Sequence, residues 1–203
     1  VLPSMAGNYS LVVAVNGCSI EAATDVITIF GKTPDPVITG DSELCEGEDL
    51  VLSTPDLSGA SYEWKNPFGT IVGNTYELKV DDIQIAGAGR YTVVQTIDGC
   101  PSDEKYVDVV INAIPATPFI VSNSPVCEGD VIVLSVDNVA ANQLTWTGPV
   151  GTNLGNGDDV TINGALLSDG GKYKVQASAK GCLSAVAETD VVVNKTPAIP
   201  TIT

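Results

Sequence analysis

Short stretches of alternating apolar and polar residues recur along the chain, punctuated by glycine, proline and asparagine. Tyr9 to Val15 reads as a strand, Asn16-Gly17 as a hairpin turn and Ala22 to Phe30 as the next strand. Leu50-Val51-Leu52-Ser53 follows the turn Glu46-Gly47-Glu48, and Val131 to Val136 follows Glu128-Gly129-Asp130. Next come Tyr62-Glu63-Trp64 and Leu144-Thr145-Trp146, each leading into a turn, Asn66-Pro67-Phe68-Gly69 and Gly148-Pro149-Val150-Gly151. Asp159 to Ile162 opens a later strand and Tyr173 a further one. No stretch keeps a 3.6-residue period through the length of a helix, and Val, Ile and Thr are abundant. The pattern predicts an all-β chain of short strands at spacings suited to a two-sheet sandwich.

The pattern repeats. Asp169-Gly170-Gly171-Lys172-Tyr173 is followed by Gly181-Cys182, Gly89-Arg90-Tyr91 by Gly99-Cys100, and Gly7-Asn8-Tyr9 by Gly17-Cys18. The period, read from Tyr9, Tyr91 and Tyr173, is 82 residues both times, which marks a tandem array. Residues 1–33 align with the last two strands of a repeat, 34–115 and 116–197 are complete repeats, and 198–203 opens another. Val1 falls in mid-repeat, so the expectation is a piece of a longer chain. The junctions Thr33-Pro34-Asp35-Pro36, Ile114-Pro115-Ala116-Thr117-Pro118 and Thr196-Pro197-Ala198-Ile199-Pro200 carry paired prolines. Proline fixes φ and biases its neighbour to extended backbone, so these linkers read as short and stiff and the array as a semi-rigid rod.

Composition removes several chemistries. The net charge is −16, with nine basic residues, too few to form a nucleic-acid footprint, and an anionic membrane surface would repel the chain. No apolar run is long enough to span a membrane. The acidity reads as a soluble, self-repelling surface. A structural calcium is left open at Asp81-Asp82 or Asp158-Asp159, although these pairs occupy different positions in the repeat. There is no histidine, so Ser and Thr have no evident base, and no cofactor is expected. Gly155-Asn156-Gly157 and Gly170-Gly171 lack the Lys-Ser/Thr of a phosphate loop. The carboxylate pairs are adjacent in sequence and would face opposite sides of a strand. The chain is expected not to be an enzyme. Trp64 and Trp146 recur at equivalent places and read as core rather than as sugar-stacking platforms. Tyr62, Phe68, Tyr76 and Tyr106 have no aromatic counterpart in the next copy and are candidates for exposure. Five cysteines at strict spacing, without histidine or CxxC pairs, point to disulfides and an oxidising, exported setting rather than zinc.

Taken together, the pattern E-G-x-x-[VI]-x-L, then x-x-W, then D-x-G-x-Y resembles an immunoglobulin-like domain in both full repeats, with Leu50 at the [VI] position of the first. The resemblance makes Trp64 and Trp146 the core tryptophans of strand C. It makes Tyr9, Tyr91 and Tyr173 core tyrosines whose hydroxyls bond back to backbone at the turn between strands E and F. Gly87 and Met5 replace Asp169 in the other copies, so those corners are expected to be looser. The sheet-bridging positions hold Thr54 with Val93 and Val136 with Val175 instead of cysteines. Val126-Cys127-Glu128-Gly129-Asp130 and Gly181-Cys182-Leu183-Ser184 are similar to the Ig-like repeats of very large Bacteroidota surface proteins exported by type IX secretion, gliding-motility adhesins among them.

The resemblance implies a stalk or spacer at the cell surface, associated with the outer membrane and displaying a distal adhesive region. Its partners would be neighbouring repeats, surface polysaccharide, or motility and outer-membrane anchoring proteins. Two alternatives stand beside it: repeats that bind polysaccharide or a protein through their end loops, and an accessory region of a secreted enzyme. The same template puts the cysteine before strand B and the cysteine of the F–G turn at opposite ends of one sandwich. It therefore implies a bond between successive repeats, Cys45 to Cys182, with the partners of Cys18, Cys100 and Cys127 outside this piece. Pairing within repeats, Cys45–Cys100 and Cys127–Cys182, remains open.

Overall fold

A computed structural model describes residues 3–23, 26–137 and 143–200. Parts of the expected strand at 22–30 and of the opening repeat at 198–203 lie outside the described residues. The chain divides into two compact units, Val1–Val110 and Ile111–Thr203. The first unit starts with a hairpin, Ser10–Val15 (β1) and Cys18–Ala23 (β2). It continues with Glu43–Cys45 (β3), Leu50–Ser53 (β4), Ala60–Lys65 (β5), Ile71–Gly73 (β6), Glu77–Val80 (β7), Gly89–Ile97 (β8), Cys100–Pro101 (β9) and Lys105–Asn112 (β10), whose last two residues belong to the second unit. The second holds Phe119–Ser122 (β11), Val126–Cys127 (β12), Ile132–Asp137 (β13), Gln143–Thr147 (β14), Asn153–Gly155 (β15), Asp159–Ile162 (β16), Gly171–Ala179 (β17), Cys182–Leu183 (β18), Ala187–Val191 (β19) and Val193–Asn194 (β20).

Each full repeat places strands in two sheets. In the first, β4 pairs β7 in one sheet, and the order β3-β10-β8-β5-β6 builds the other. In the second, β11-β13-β16 forms one sheet and β15-β14-β17 with β19 the other. The reason is legible in the side chains. On β13, Ile132 and Leu134 point inward and Val133 outward; on β17, Tyr173, Val175 and Ala177 are buried in alternation. A strand with one apolar face has to cover it, and two such sheets cover each other. Ile132, Leu134 and Val160 from one sheet meet Leu144, Trp146, Tyr173, Val175 and Val191 from the other in a single core.

The β1–β2 hairpin is closed by Asn16 and Gly17, both at positive φ (50° and 85°). A two-residue turn of this kind returns the chain at once, so the partner strand is Cys18–Ala23, earlier than the 22–30 that alternation alone suggests. The same turn recurs at Asp98-Gly99 and Lys180-Gly181. In all three copies it delivers a cysteine as the first residue of the returning strand.

Candidate functional site

The cysteines sit on two rigid turns. One is the F–G hairpin just described, with Val15↔Cys18, Ile97↔Cys100 and Ala179↔Cys182 in register. The other precedes β4 and β13. There Cys45 N–H donates to Glu48 Oε2 (2.7 Å) and Glu48 N–H donates back to Cys45 O (3.1 Å). Cys127 N–H donates to Asp130 Oδ2 (3.1 Å), with Asp130 N–H to Cys127 O at 3.0 Å. Gly47 and Gly129 tie the two turns to Ile83 O and Ala165 O, at 2.9 and 2.8 Å. Despite this equivalence the sulfurs differ. Cys45 and Cys182 are disulfide-bonded, whereas Cys18, Cys100 and Cys127 are free. Neither within-repeat pair, Cys45–Cys100 or Cys127–Cys182, is formed.

The tryptophans are fully enclosed. Trp64 and Trp146 are 0% exposed, and their indole N–H groups donate to Thr75 O (3.0 Å) and Gly157 O (2.9 Å). With the rings covered and the polar edges satisfied, neither offers a face to a sugar. The tyrosine corner forms in all three copies: Tyr9 OH to Met5 O (2.6 Å), Tyr91 OH to Gly87 O (3.0 Å) and Tyr173 OH to Asp169 O (2.8 Å). The acceptor is a backbone carbonyl, so the residue type at the acceptor position does not decide the bond, and the expected loosening at Gly87 and Met5 does not occur. Burial pushes the phenol pKa up at Tyr91 and Tyr173, with the Asp169 charge adding at Tyr173.

Two aromatic readings need correction. Tyr9 is 44% exposed and is no core residue here, because among the described residues its hairpin has no second sheet packed over it. Tyr62 is buried, with its hydroxyl donating to Pro55 O (2.9 Å) and accepting from Leu57 N–H (2.8 Å). Phe68, Tyr76 and Tyr106 are exposed.

Most of the basic side chains are held by carboxylates. Arg90 makes a two-pronged contact with Asp108 (2.9 and 3.2 Å) and stacks 3.7 Å from the Tyr106 ring centroid. At the equivalent place in the second repeat, Lys172 and Lys174 share Glu188, both with contacts under 3 Å. Asp81 is held by Lys79 at 2.5 Å and Asp49 by the same lysine at 3.0 Å. Hydrogen bonds to Asp81 first and Asp49 second hold the Lys79 ammonium well above its usual range. Asp159 lies on β16 opposite Ser135, and Asp158 O accepts from Val136 N–H (3.1 Å). Among the described residues no group of three or more acidic, cysteine or histidine side chains converges as a metal site.

The alternation of residues gave no sign of two further features. At the first junction, Thr33 is buried, accepts from Ile97 N–H (3.2 Å) and donates to Cys100 O. Gln95 Nε2 donates to Pro34 O, and Asp35 takes Asp103 N–H (3.2 Å) and the Lys105 ammonium (2.9 Å). Lys32 closes the clasp on Asp103 at 2.6 Å. These partners are more than 60 residues apart, and Lys32 and Asp35 on their own look like ordinary surface residues. The second feature is an open groove of about 320 Å3 between the β5–β6 turn and the turn before β8, lined by Phe68, Val72, Asp82, Ile83, Ala86 and Tyr91. Gly87 is one of its lining residues.

No protein-family model matches the chain and no curated protein matches it. Among solved structures, it is similar to the N-terminal eight Ig domains of Down syndrome cell adhesion molecule (TM-score 0.57, 16% identity, 94% of this chain and 28% of that one). It is similar also to a marsupial T cell receptor (TM-score 0.55, 14% identity, 81% of this chain and 74% of that one). Murine CEACAM1b aligns at a TM-score of 0.48 with 15% identity, over 79% of this chain and all of that one. The first two matches, with the two-sheet cores and tyrosine corners, make the fold all-β and immunoglobulin-like. No helix among the described residues is long and apolar enough to cross a membrane.

Proposed function

We propose that this chain is a spacer segment of a long, repetitive cell-surface adhesin, and that its task is mechanical. In this reading Cys45 and Cys182, the two disulfide-bonded cysteines, pair between successive repeats. The observation that carries this reading is the state of the five sulfurs: the two bonded cysteines belong to different repeats, while the partners each would need within its own repeat are free. A bond placed there restrains the linker that the prolines of 114–118 already stiffen, and such a joint suits a stalk that holds a distal region away from the cell. A disulfide also fits an exported, oxidising setting. The repeats of Bacteroidota gliding-motility adhesins delivered by type IX secretion are the parent architecture we propose, on the strength of the Val-Cys-Glu-Gly-Asp and Gly-Cys-Leu-Ser signatures. Repetition itself supports the reading, because a spacer needs copies and a catalytic centre needs one.

The groove beside Gly87 favours a second reading, a partner bound at the sandwich-end loops, because Phe68, one of its lining residues, is 75% exposed. Small-angle scattering with and without reductant separates the two. A spacer gives an extended profile that softens on reduction. A profile that is flexible in both states argues against a stapled joint and for repeats acting as independent binding modules.

A further inference from the structure

We infer that the groove beside Gly87 binds a short basic segment of a partner protein, with an apolar side chain on Phe68 and Val72 and the lysine or arginine next to it on Asp82. This rests on the second reading above, a partner held at the sandwich-end loops, and names that partner's chemistry. At about 320 Å3 the groove is at the small end for a ligand pocket and has room for one or two side chains. Phe68, Val72 and Ala86 are exposed and give it an apolar surface. The Asp82 carboxylate takes one amide N–H, from Gln84 (3.0 Å), and forms no ion pair among the described residues.

The surroundings are acidic. Gly47 N–H donates to Ile83 O (2.9 Å), Ile83 N–H to Glu48 O (2.8 Å) and Asp82 N–H to Asp49 Oδ1 (3.1 Å). These bonds set the turn of Glu46, Glu48 and Asp49 alongside Asp81 and Asp82. The ammonium of Lys79 is already shared by Asp49 and Asp81. Five carboxylates around one ammonium leave a negative potential next to an apolar surface, which favours a cation carried beside an apolar group. A neutral polysaccharide stacked on Phe68 would not use that field. The second repeat supplies the contrast. One period on, Val150, Gly164 and Leu166 stand where the first repeat has Phe68, Asp82 and Gln84, and Asn163 stands where it has Asp81. Gly164 keeps the positive φ of Asp82 (67° against 50°). The fold therefore requires the turn, but neither the exposed ring nor the extra carboxylates.

The test is an amide NMR titration of the full chain with the blocked peptide Gly-Leu-Arg-Leu-Lys-Gly, its neutral counterpart Gly-Leu-Gln-Leu-Gln-Gly, and cellohexaose. The basic peptide should shift Phe68, Val72, Asp82 and Gln84 and leave Val150, Gly164 and Leu166 unmoved. Phe68→Ala and Asp82→Asn should each weaken it about three- to fivefold, and the neutral peptide should bind more weakly by a similar factor. Phe68 is largely exposed and asparagine tolerates the positive φ at 82, so both variants keep the fold. Equal affinity for the neutral peptide, or groove shifts from cellohexaose alone, overturns the basic partner and leaves a groove that binds. Shifts spread over the acidic surface and unchanged by Phe68→Ala overturn it as charge attraction alone. No shift at the groove with any of the three probes overturns this inference and the second reading together.

Discussion

Ile83 occupies the space that a side chain at Gly87 would need: a Cβ built on Gly87 would stand 2.9 Å from Ile83 Cγ1 and 3.2 Å from its Cδ1. At the equivalent places of the second repeat stand Ala165, fully buried, and Asp169, whose Oδ2 accepts from Leu166 N–H at 2.8 Å. The two copies solve one corner in two ways, a large residue with a glycine or a small residue with an aspartate. Gly87→Asp should therefore destabilise the first repeat by about 1–3 kcal/mol through overpacking. Ile83→Ala alone should cost about 2–4 kcal/mol as a cavity. The double variant should be less damaged than the sum, because the aspartate enters the vacated volume and can take Gln84 N–H. Denaturant unfolding of the three variants measures the cycle, and additive losses would refute the coupling.

The tyrosine hydroxyl is the next element to test. Tyr91→Phe and Tyr173→Phe each remove one hydrogen bond to a backbone carbonyl in a nearly dry corner. Each should cost about 1 kcal/mol or slightly more, since the carbonyl is left short of a donor. The two losses should be similar, because the bonds differ by only 0.2 Å. Tyr9→Phe should leave the unfolding midpoint unchanged, its ring being in contact with water. A much smaller loss at Tyr91 than at Tyr173 would restore the idea that glycine loosens the corner.

How far the sequence carried follows from which residues repeat. Alternation on β4, β13 and β17 and the recurrence of Trp64 with Trp146 revealed two cores, because a buried face must be apolar in every copy. The two-residue turns were legible at Asn16-Gly17, where the residue types demand positive φ. The clasp of Lys32, Thr33 and Asp35 was not. It joins residues across more than 60 positions, and its ends are polar types that usually face water. Tyr62 was misread because it has no aromatic twin, yet its ring fills the first core where Leu144 fills the second. A shared volume can be filled by different residues, so lack of repetition says little about exposure.

That exchange of residues within a conserved volume also exposes a flaw in the first core. Thr54 is 5% exposed and its hydroxyl has no hydrogen-bond partner among the described residues. The equivalent residue of the second repeat is Val136, packed against an apolar core. Valine keeps the branched shape and removes the orphan hydroxyl. Thr54→Val should raise the stability of the first repeat by about 1–2 kcal/mol, the usual cost of an unpaired buried hydroxyl. Thermal unfolding followed by calorimetry checks it, and a loss of stability would mean that the hydroxyl has a partner in solution.

The clasp makes the first repeat sensitive to acid. A hydrogen bond from Lys105, a backbone N–H from Asp103 and the charge of Lys32 hold the Asp35 carboxyl below its ordinary value, against a smaller opposing push from burial. A carboxyl depressed on folding contributes stability above its unfolded pKa and loses it as pH falls through the folded value. The contribution should thus be complete at neutral pH and be lost as pH falls below the ordinary carboxylate range and through the lowered folded-state value. It should be small, because the pairs are solvent-exposed and screened by salt. Asp35→Asn removes it, and also the anchor for Lys32 and Lys105. The chain carries a net charge of −16, so acidification also relieves general repulsion, but it does so almost equally with or without Asp35. The difference between the two proteins therefore isolates the clasp. Hydrogen exchange at β8 should show the variant opening more readily at pH 7 and the two proteins converging in acid. Curves that stay parallel from pH 7 to pH 2 would show that Asp35 acts through shape alone.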